Sequence, residues 1–406
     1  MKKKRIFISM HYLELGGAEI SLIGLLDAID KSRYDVDLFL YSHQGELMQF
    51  IPSGVNLLPE ISIYSMYERS LKEVVKKGFF GIAFARLVAR YKYKQYCKRT
   101  RPNDLQAVFA YVMKEVEPHL PSLDYLGEYD LAISFLMPHN VVLNKVRAKK
   151  KICWIHTDYS KIDTDVELEL PVWSGFDHIA SISEEVTTKF LENFPSLSSK
   201  IIEINNILSP DFVRKRASLI PQDEIRSEMK ISEGQVSLLS VGRYFTPKRF
   251  EFIPEIVRCL REELGMNVRW YIIGYGVMEQ DIKAAITKAG MEDYVILLGK
   301  KSNPYPYMLA CDIYAQLSLY EGNSVTVREA QMLCKPVVVT NYPTANSQIQ
   351  NGVDGVIVPM DIKESAEGIA EMIQDITRQK QIVEYLKTHD YGNVSEVEKI
   401  YNLIDV

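Results

Sequence analysis

Two glutamates eight residues apart, in Glu321-Gly-Asn-Ser-Val-Thr-Val-Arg-Glu329, form the strongest chemical signal in this chain. The first falls in a predicted loop after a strand, the second inside a predicted helix. A carboxylate accepts hydrogen bonds from neighbouring hydroxyls, so the pair suits a ribose or hexose ring. Between them Asn323, Ser324 and Val325 offer backbone N–H groups at a helix N-terminus, where negative charge is favoured. A capping box over Thr326-Val-Arg-Glu329 would instead occupy Glu329 locally.

A second group lies in Val241-Gly-Arg-Tyr-Phe-Thr-Pro-Lys248. A predicted strand ends, Gly242 follows, and the cations Arg243 and Lys248 stand five apart in the loop. Such a pair can grip a diphosphate and neutralise it as it leaves. Two exposed surface cations are the plainer alternative. The third group is Leu15-Gly16-Gly17-Ala18-Glu19, between the first predicted strand and the first predicted helix. Gly16 and Gly17 let backbone approach a ligand closely at a helix start. A tight turn would use the same residues. The spacing departs from G-x-G-x-x-G, which disfavours a nicotinamide cofactor.

These groups need strands to place them, and the sequence supplies the strands. Short apolar runs at Arg5–Met10, Asp35–Tyr41, Leu131–Phe135, Lys151–His156, His178–Ser181 and Ile201–Ile204 alternate with helical patterns such as Gly17–Ile29. The second half repeats this rhythm, with strands predicted at Val236–Val241, Val268–Ile273, Tyr294–Leu298, Ile313–Leu317 and Pro336–Thr340. Helices are predicted at Phe250–Leu264, Glu279–Ala289, Thr326–Leu333 and Lys363–Ile376, and Ser181-Ile-Ser-Glu184 carries a capping-box signature. Continuous apolar strands separated by helices indicate parallel sheets covered on both faces. The expectation is an α/β protein of two Rossmann-like, doubly wound domains facing a central cleft, with ligands at the carboxyl ends of the strands. The boundary is expected near Asn206–Arg214, giving domains over 1–208 and 209–385. The helical stretch 386–406 is expected to pack back on the first domain.

Bulk properties agree with that reading. A chain of 406 residues, 47% hydrophobic and 25% charged, has the composition of a folded globular protein. Five scattered cysteines without a CxxC pair argue against a disulfide framework or a zinc site. No run reaches the roughly 20 apolar residues of a membrane-spanning helix. A cytoplasmic location is expected, with any membrane contact made from the inner surface. The net charge of −5 conceals ten basic residues between Lys72 and Arg101, with Glu73 the only acid among them and several aromatic residues interleaved. That pattern suits contact with an anionic membrane surface, or equally a solvated helix with one stripe on the core. There is no basic cluster in the second half and no RNA-binding motif, so nucleic acid is not an expected partner.

Val241 to about Pro359 resembles the donor-binding domain of the family 4 retaining glycosyltransferases, which have the GT-B fold. The family's E-x7-E motif is matched by Glu321 and Glu329, and its phosphate loop by Gly242, Arg243 and Lys248. Gly274-Tyr-Gly276 resembles its next glycine turn, Cys334-Lys-Pro-Val-Val-Val-Thr340 its following strand, and Asn351-Gly-Val-Asp-Gly355 a later turn. The resemblance extends thinly to Gly16-Gly17-Ala18-Glu19 in the first half. It implies that the domain over 1–208 binds the acceptor and that over 209–385 the nucleotide sugar, with Arg243 and Lys248 holding the donor diphosphate and Glu329 the ribose hydroxyls. Glu321, with the amides of Asn323, Ser324 and Val325, would face the transferred sugar, and Gly16, Gly17, Gly242 and Gly274 would line the donor. His156, in Trp154-Ile-His-Thr-Asp158, matches a histidine placed near that sugar; a structural role fits it as well. Asn323-Ser324 stands where many members carry Phe-Gly, a subfamily difference that bears on which sugar is used.

By this resemblance the chain is expected to be a hexosyltransferase of capsule or lipopolysaccharide type. It would use a UDP- or GDP-sugar as co-substrate and neither a cofactor nor a metal ion. The acceptor would be a glycan or a polyprenyl-diphosphate-linked sugar, met at the inner membrane face through residues 72–101. Two other readings stay open: a sugar-nucleotide epimerase, and a non-catalytic subunit of the same build that binds a glycan or a partner.

Overall fold

A computed structural model describes residues 3–14, 16–100, 107–157, 159–321 and 324–405. The chain divides into two compact units, one formed by 1–208 together with 393–406 and the other by 209–392.

In the first unit the strands are β1 (Lys4–Met10), β2 (Tyr34–Leu40), β3 (Val55–Leu57), β4 (Tyr129–Ser134), β5 (Ala148–Ile155), β6 (His178–Ser181) and β7 (Ile201–Glu203). Among the described residues they form one sheet in the order β3-β2-β1-β4-β5-β6-β7. Every pairing is parallel, with Ile8 opposite Leu38 on one side and Ile133 on the other. Both faces of β1 are buried, so its sequence Ile6-Phe-Ile-Ser-Met10 reads as a continuous apolar run instead of an alternation. The helix Val397–Asp405 belongs to this unit. Its Tyr401 stacks on Tyr34 at 4.5 Å, and the Tyr401 hydroxyl accepts from Asp30 N–H at 2.7 Å. Asp405 pairs with Lys4.

The second unit repeats the winding. Its strands are β8 (Val236–Val241), β9 (Val268–Ile273), β10 (Val295–Gly299), β11 (Ile313–Gln316), β12 (Val337–Thr340) and β13 (Val356–Val358). They lie in the order β10-β9-β8-β11-β12-β13, again all parallel. Trp270, Ile272, Ile313 and Val338 are fully buried in its core. Full burial of such a side chain contributes about 1.5–3 kcal/mol, so the sheet rather than any single loop holds the unit together.

Local differences from the sequence reading have physical causes. β3 and β13 are three-residue strands whose short apolar runs give too little pattern to read. The predicted helix Phe250–Leu264 is continuous in the chain but changes pitch, from a 3₁₀ turn at Phe250–Phe252 through an α-helix at Ile253–Arg258 to a π-helical turn at Cys259–Glu263. The capping box expected at Ser181-Ile-Ser-Glu184 does not form. Ser181 ends β6, and Ser183 caps the helix Glu184–Asn193 by accepting from Val186 N–H at 3.2 Å.

Candidate functional site

In an open parallel sheet, ligands bind beyond the carboxyl ends of the strands where the winding reverses. In the second unit that point lies between the neighbours β8 and β11, and the chain sends its two most polar loops there. They are joined through the backbone, Leu319 N–H donating to the Pro247 carbonyl at 2.7 Å. Lys248, from the loop after β8, meets Glu321, from the loop after β11, with Nζ 2.5 Å from Oε1. The same carboxylate oxygen accepts from Ser318 Oγ at 2.5 Å and Gln316 Nε2 at 3.2 Å. Thr344 Oγ1 donates to the Glu321 carbonyl at 2.7 Å, and Thr340 Oγ1 to that of Ser318 at 2.5 Å. The Lys248 and Glu321 side chains are 23% and 11% exposed, so the pair is screened by water less than a surface bridge.

Arg243 is exposed, and its guanidinium has no hydrogen-bond or ion-pair partner among the described residues. Gly242 leads into it. Gly274 is required by the packing of this loop: a Cβ there would lie 1.9 Å from the Gly242 carbonyl oxygen and 2.7 Å from the Tyr244 ring. The glycine turn thus lets two loop backbones approach each other, with Tyr244 N–H bonded to Tyr275 O at 2.9 Å. Just past Lys248, Arg249 holds the left-handed conformation (φ 54°), which is sparsely populated for a residue with a side chain. Its guanidinium is anchored to the Met360 carbonyl at 2.8 Å.

Helix Val325–Met332 begins after Ser324. The capping box considered for Thr326 to Glu329 is absent, because Thr326 already lies inside the helix and Ser324 makes no side-chain cap. Gln348 clamps Ser324 instead, accepting from its N–H at 3.2 Å and donating to its carbonyl at 2.6 Å. Val325 N–H belongs to the helix's first turn, where backbone donors have no intrahelical acceptor. Asn323 lies outside the described residues. Glu329 is buried, 4% exposed, and accepts from the Tyr305 hydroxyl at 2.6 Å. Burial pushes its carboxyl up to about 7, against the opposing pull of Tyr305 and the Arg216 guanidinium. Arg216 donates to the Ser302 carbonyl at 2.6 Å and lies over the Tyr305 ring at 5.0 Å, so it braces the loop that carries Glu329's partner.

In the first unit, Gly16 caps the helix Gly17–Ala28, and Glu19 reaches back so closely that a Cβ on Gly16 would meet its carboxylate at 2.1 Å. A Cβ on Gly17 would meet nothing within 4 Å. His156 follows β5, stacked on Trp154 at 6.0 Å and tilted against Phe135 at 4.6 Å. Neither ring nitrogen has a hydrogen-bond partner among the described residues, and burial lowers the ring to about 4, against a smaller opposing effect of the Phe135 backbone. His156 is therefore neutral at pH 7.

The basic stretch needs one correction. Arg86 is buried and donates to the carbonyls of Met66 and Arg69, so it is not a surface cation. Arg101 lies outside the described residues. Helix Phe80–Thr100 turns Ala85, Ala89, Tyr93 and Tyr96 inward and leaves Phe80, Phe84, Leu87 and Tyr91 exposed by 54–67%. Their spacing of four, three and four residues makes a single stripe. Among the described residues no helix is long and apolar enough to cross a membrane.

Sequence reasoning missed Gln316, Ser318, Thr340, Tyr305, Gln348 and Arg216. A signal existed for three of them: polar residues at the ends of otherwise apolar strands, which are costly to bury unless they bond something. Tyr305, Gln348 and Arg216 act across tens of residues and left no local pattern.

Residues 221–389 match the family model described as Glycosyl transferases group 1. Among curated relatives, an N-acetylgalactosaminyltransferase of Campylobacter jejuni that acts on N-acetylgalactosamine-N,N'-diacetylbacillosaminyl-diphospho-undecaprenol is 29% identical over 153 residues, covering 37% of this chain and 41% of the relative. The amylovoran biosynthesis glycosyltransferase AmsK of Erwinia amylovora is 26% identical over 266 residues, covering 58% of this chain and 64% of the relative. Both matches thus span less than two thirds of the relative's length. Among solved structures, Anabaena Alr3699/HepE in complex with UDP and glucose superposes with a TM-score of 0.62 at 16% identity, over the full length of both chains. The chain has the GT-B fold, and its residues 221–389 are similar to the group 1 glycosyl transferases.

Proposed function

We propose that this protein transfers a hexose-type sugar from a UDP- or GDP-sugar to a glycan or a polyprenyl-diphosphate-linked sugar, with retention of configuration and without a metal ion. The observation that carries the proposal is the Lys248–Glu321 pair at the reversal point of the second sheet, inside the segment that matches the family. The Campylobacter relative's diphospho-undecaprenol acceptor and the UDP in the Anabaena protein support the substrate classes.

Lys248 and Arg243 would bind the donor diphosphate, Lys248 exchanging part of its contact with Glu321 for phosphate oxygens. Glu321 would keep its orientation through Ser318 and Gln316 and accept hydrogen bonds from hydroxyls of the sugar, with the Val325 amide at the helix start; the Ser324 amide is held by Gln348. Glu329 would accept the ribose hydroxyls by releasing Tyr305, and neutral His156 would bond a sugar hydroxyl. Gly16, Gly17, Gly242 and Gly274 would keep side chains out of the donor's way. In the reaction the bond from the anomeric carbon to the diphosphate oxygen breaks as the acceptor oxygen bonds the same face of that carbon. The acceptor's proton passes to the departing diphosphate, whose charge the two cations stabilise. Side-chain cations supply the charge neutralisation that a metal supplies elsewhere.

The exposed stripe Phe80, Phe84, Leu87 and Tyr91, flanked by Arg90, Lys94 and Lys98, is proposed to rest on the membrane surface that holds the acceptor. The test is transfer of labelled sugar from a UDP- and GDP-sugar panel to a polyprenyl-diphosphate-linked acceptor pool, with EDTA present and the product's anomeric configuration read by NMR. Retained configuration in EDTA is expected. Nucleotide release with an inverted product, or turnover only on adding Mg²⁺, would overturn the mechanism.

A further inference from the structure

Helix Pro210–Ala217 carries an arginine where a charged side chain is costly to keep: Arg216 is 1% exposed. Its guanidinium donates to the Ser302 carbonyl at 2.6 Å and lies over two rings, 5.3 Å from that of Phe212 and 5.0 Å from that of Tyr305. It also hydrogen-bonds the Tyr305 hydroxyl. Its backbone is tied to the same segment, the Arg216 carbonyl accepting from Asn303 Nδ2 at 2.8 Å. These contacts fix Arg216 without calling on Glu329. The Tyr305 hydroxyl, by contrast, donates to Glu329 Oε1 at 2.6 Å. Arg216, Tyr305 and Glu329 therefore form a buried row, with Tyr305 in the middle.

An ionised carboxylate only accepts, and can take both hydroxyls of a ribose; a protonated one spends an oxygen as a donor. Burial raises the Glu329 carboxyl to about 7, and Tyr305 and Arg216 pull it back down. A ribose that takes the place of Tyr305 removes the first of those two pulls and leaves Arg216. Other cations of this unit are committed elsewhere: Lys248 to Glu321, and Arg328 to Gln331 at 2.9 Å and the Tyr391 ring at 5.5 Å. A nearby opposite charge favours the ionised form, and bonds to an ionised acceptor are roughly twice as strong as neutral ones. We propose that Arg216 is a positioning residue for nucleotide recognition, its charge balancing Glu329 when ribose hydroxyls displace the Tyr305 hydroxyl. Arg216 and Tyr305 thereby set the preference for a ribonucleotide over its 2′-deoxy form. The assignment rests on the transferase reading and deepens its donor site.

The test is calorimetric titration of the full chain with UDP, GDP and their 2′-deoxy forms, in wild type, Arg216→Met, Arg216→Lys and Tyr305→Phe. Wild type should prefer the ribonucleotide of the right base about tenfold over its 2′-deoxy form, the worth of roughly one hydrogen bond. Arg216→Met should weaken the ribonucleotide more than the 2′-deoxy form and bring the ratio close to one. Retained binding of the 2′-deoxy form shows that the variant folds. Arg216→Lys should restore most of the ratio, because the charge returns. Tyr305→Phe should act in the opposite direction and tighten the ribonucleotide several-fold, since a competitor for Glu329 is gone; merely structural roles would weaken binding in both variants. Should Arg216→Met not fold, the sign of the Tyr305→Phe effect decides. A wild-type ratio near one, an unchanged ratio in Arg216→Met, or a ribonucleotide weakened by Tyr305→Phe would overturn the assignment. Failure of the transferase reading looks different: neither UDP nor GDP binds the wild type.

Discussion

The two sheets share the order of their first six strands, the first sheet adding β7 at its edge, yet finish their strands in opposite ways. In the second unit most polar groups beyond β8 and β11 satisfy one another: Lys248, Ser318 and Gln316 converge on a single oxygen of Glu321, with Arg243 left exposed beside them in the chain. In the first unit the strand-end groups His11 Nε2, Trp154 Nε1 and both nitrogens of His156 have no partner among the described residues. A binding site for a charged ligand can be assembled beforehand as an ion pair and traded on arrival. Hydroxyls of a neutral ligand need donors and acceptors that are oriented but unspent. Leaving such an atom buried and unbonded costs about 1–3 kcal/mol, which a hydroxyl of a bound ligand would recover.

Breaking the charged side should have the largest effect. Lys248→Ala removes a cation facing the leaving group, and kcat should fall about 100- to 1000-fold, as when one transition-state donor is deleted elsewhere. A fall under tenfold would mean that Arg243 alone carries the diphosphate.

Next in size is a pH effect, and it allows the two units to be compared directly. Each holds one carboxyl that burial pushes up to about 7: Glu329 in the second, Glu169 in the first. Between the ordinary value of 4.5 and about 7, the folded protein keeps a proton that the unfolded chain has lost. Stability therefore falls as pH rises through that window, by about 3 kcal/mol for a shift of this size. Glu329→Gln should flatten the pH dependence of unfolding in its unit and leave the part owed to Glu169; urea melts at pH 5 and 8 measure it. An unchanged slope would show Glu329 ionised throughout.

The unspent side should respond differently. His156→Phe fills the same space without orphaned nitrogens, so the melting temperature should hold or rise while transfer falls about tenfold, the worth of roughly one hydrogen bond. Loss of stability with normal transfer would make His156 a packing residue. The smallest effect belongs to the helix stripe. Phe84→Ser with Leu87→Ser should weaken binding to vesicles containing anionic lipid several-fold while sparing transfer to a soluble acceptor. Equal vesicle binding would remove the membrane contact.

Much of this architecture was legible in the chain. Runs such as Ile6-Phe-Ile and Val337-Val-Val, set between helical patterns, specify buried parallel strands, and the carboxyl-end rule then locates Lys248 and Glu321 without coordinates. That the two pair was not legible, since 73 residues separate them. Glu329 was ambiguous for a similar reason. A local cap and a buried carboxylate look alike in sequence, and only Tyr305, 24 residues upstream, distinguishes them. Arg86 misled because charge usually means surface; its guanidinium is tied down by backbone carbonyls of Met66 and Arg69 that no sequence pattern announces. Helix limits moved by a residue or two where Gln348, rather than a local cap, sets the start at Ser324.

Every role given to the donor loops depends on the second unit binding a nucleotide. Thermal unfolding should be followed with UDP and GDP, for the wild type, Lys248→Ala and Glu329→Gln. At about 100 times its dissociation constant, the right nucleotide should stabilise the wild type by roughly 2.7 kcal/mol. That shift is expected with one of the two bases and should be reduced in both variants. No shift with either base, or one of equal size in Lys248→Ala and Glu329→Gln, would contradict those roles.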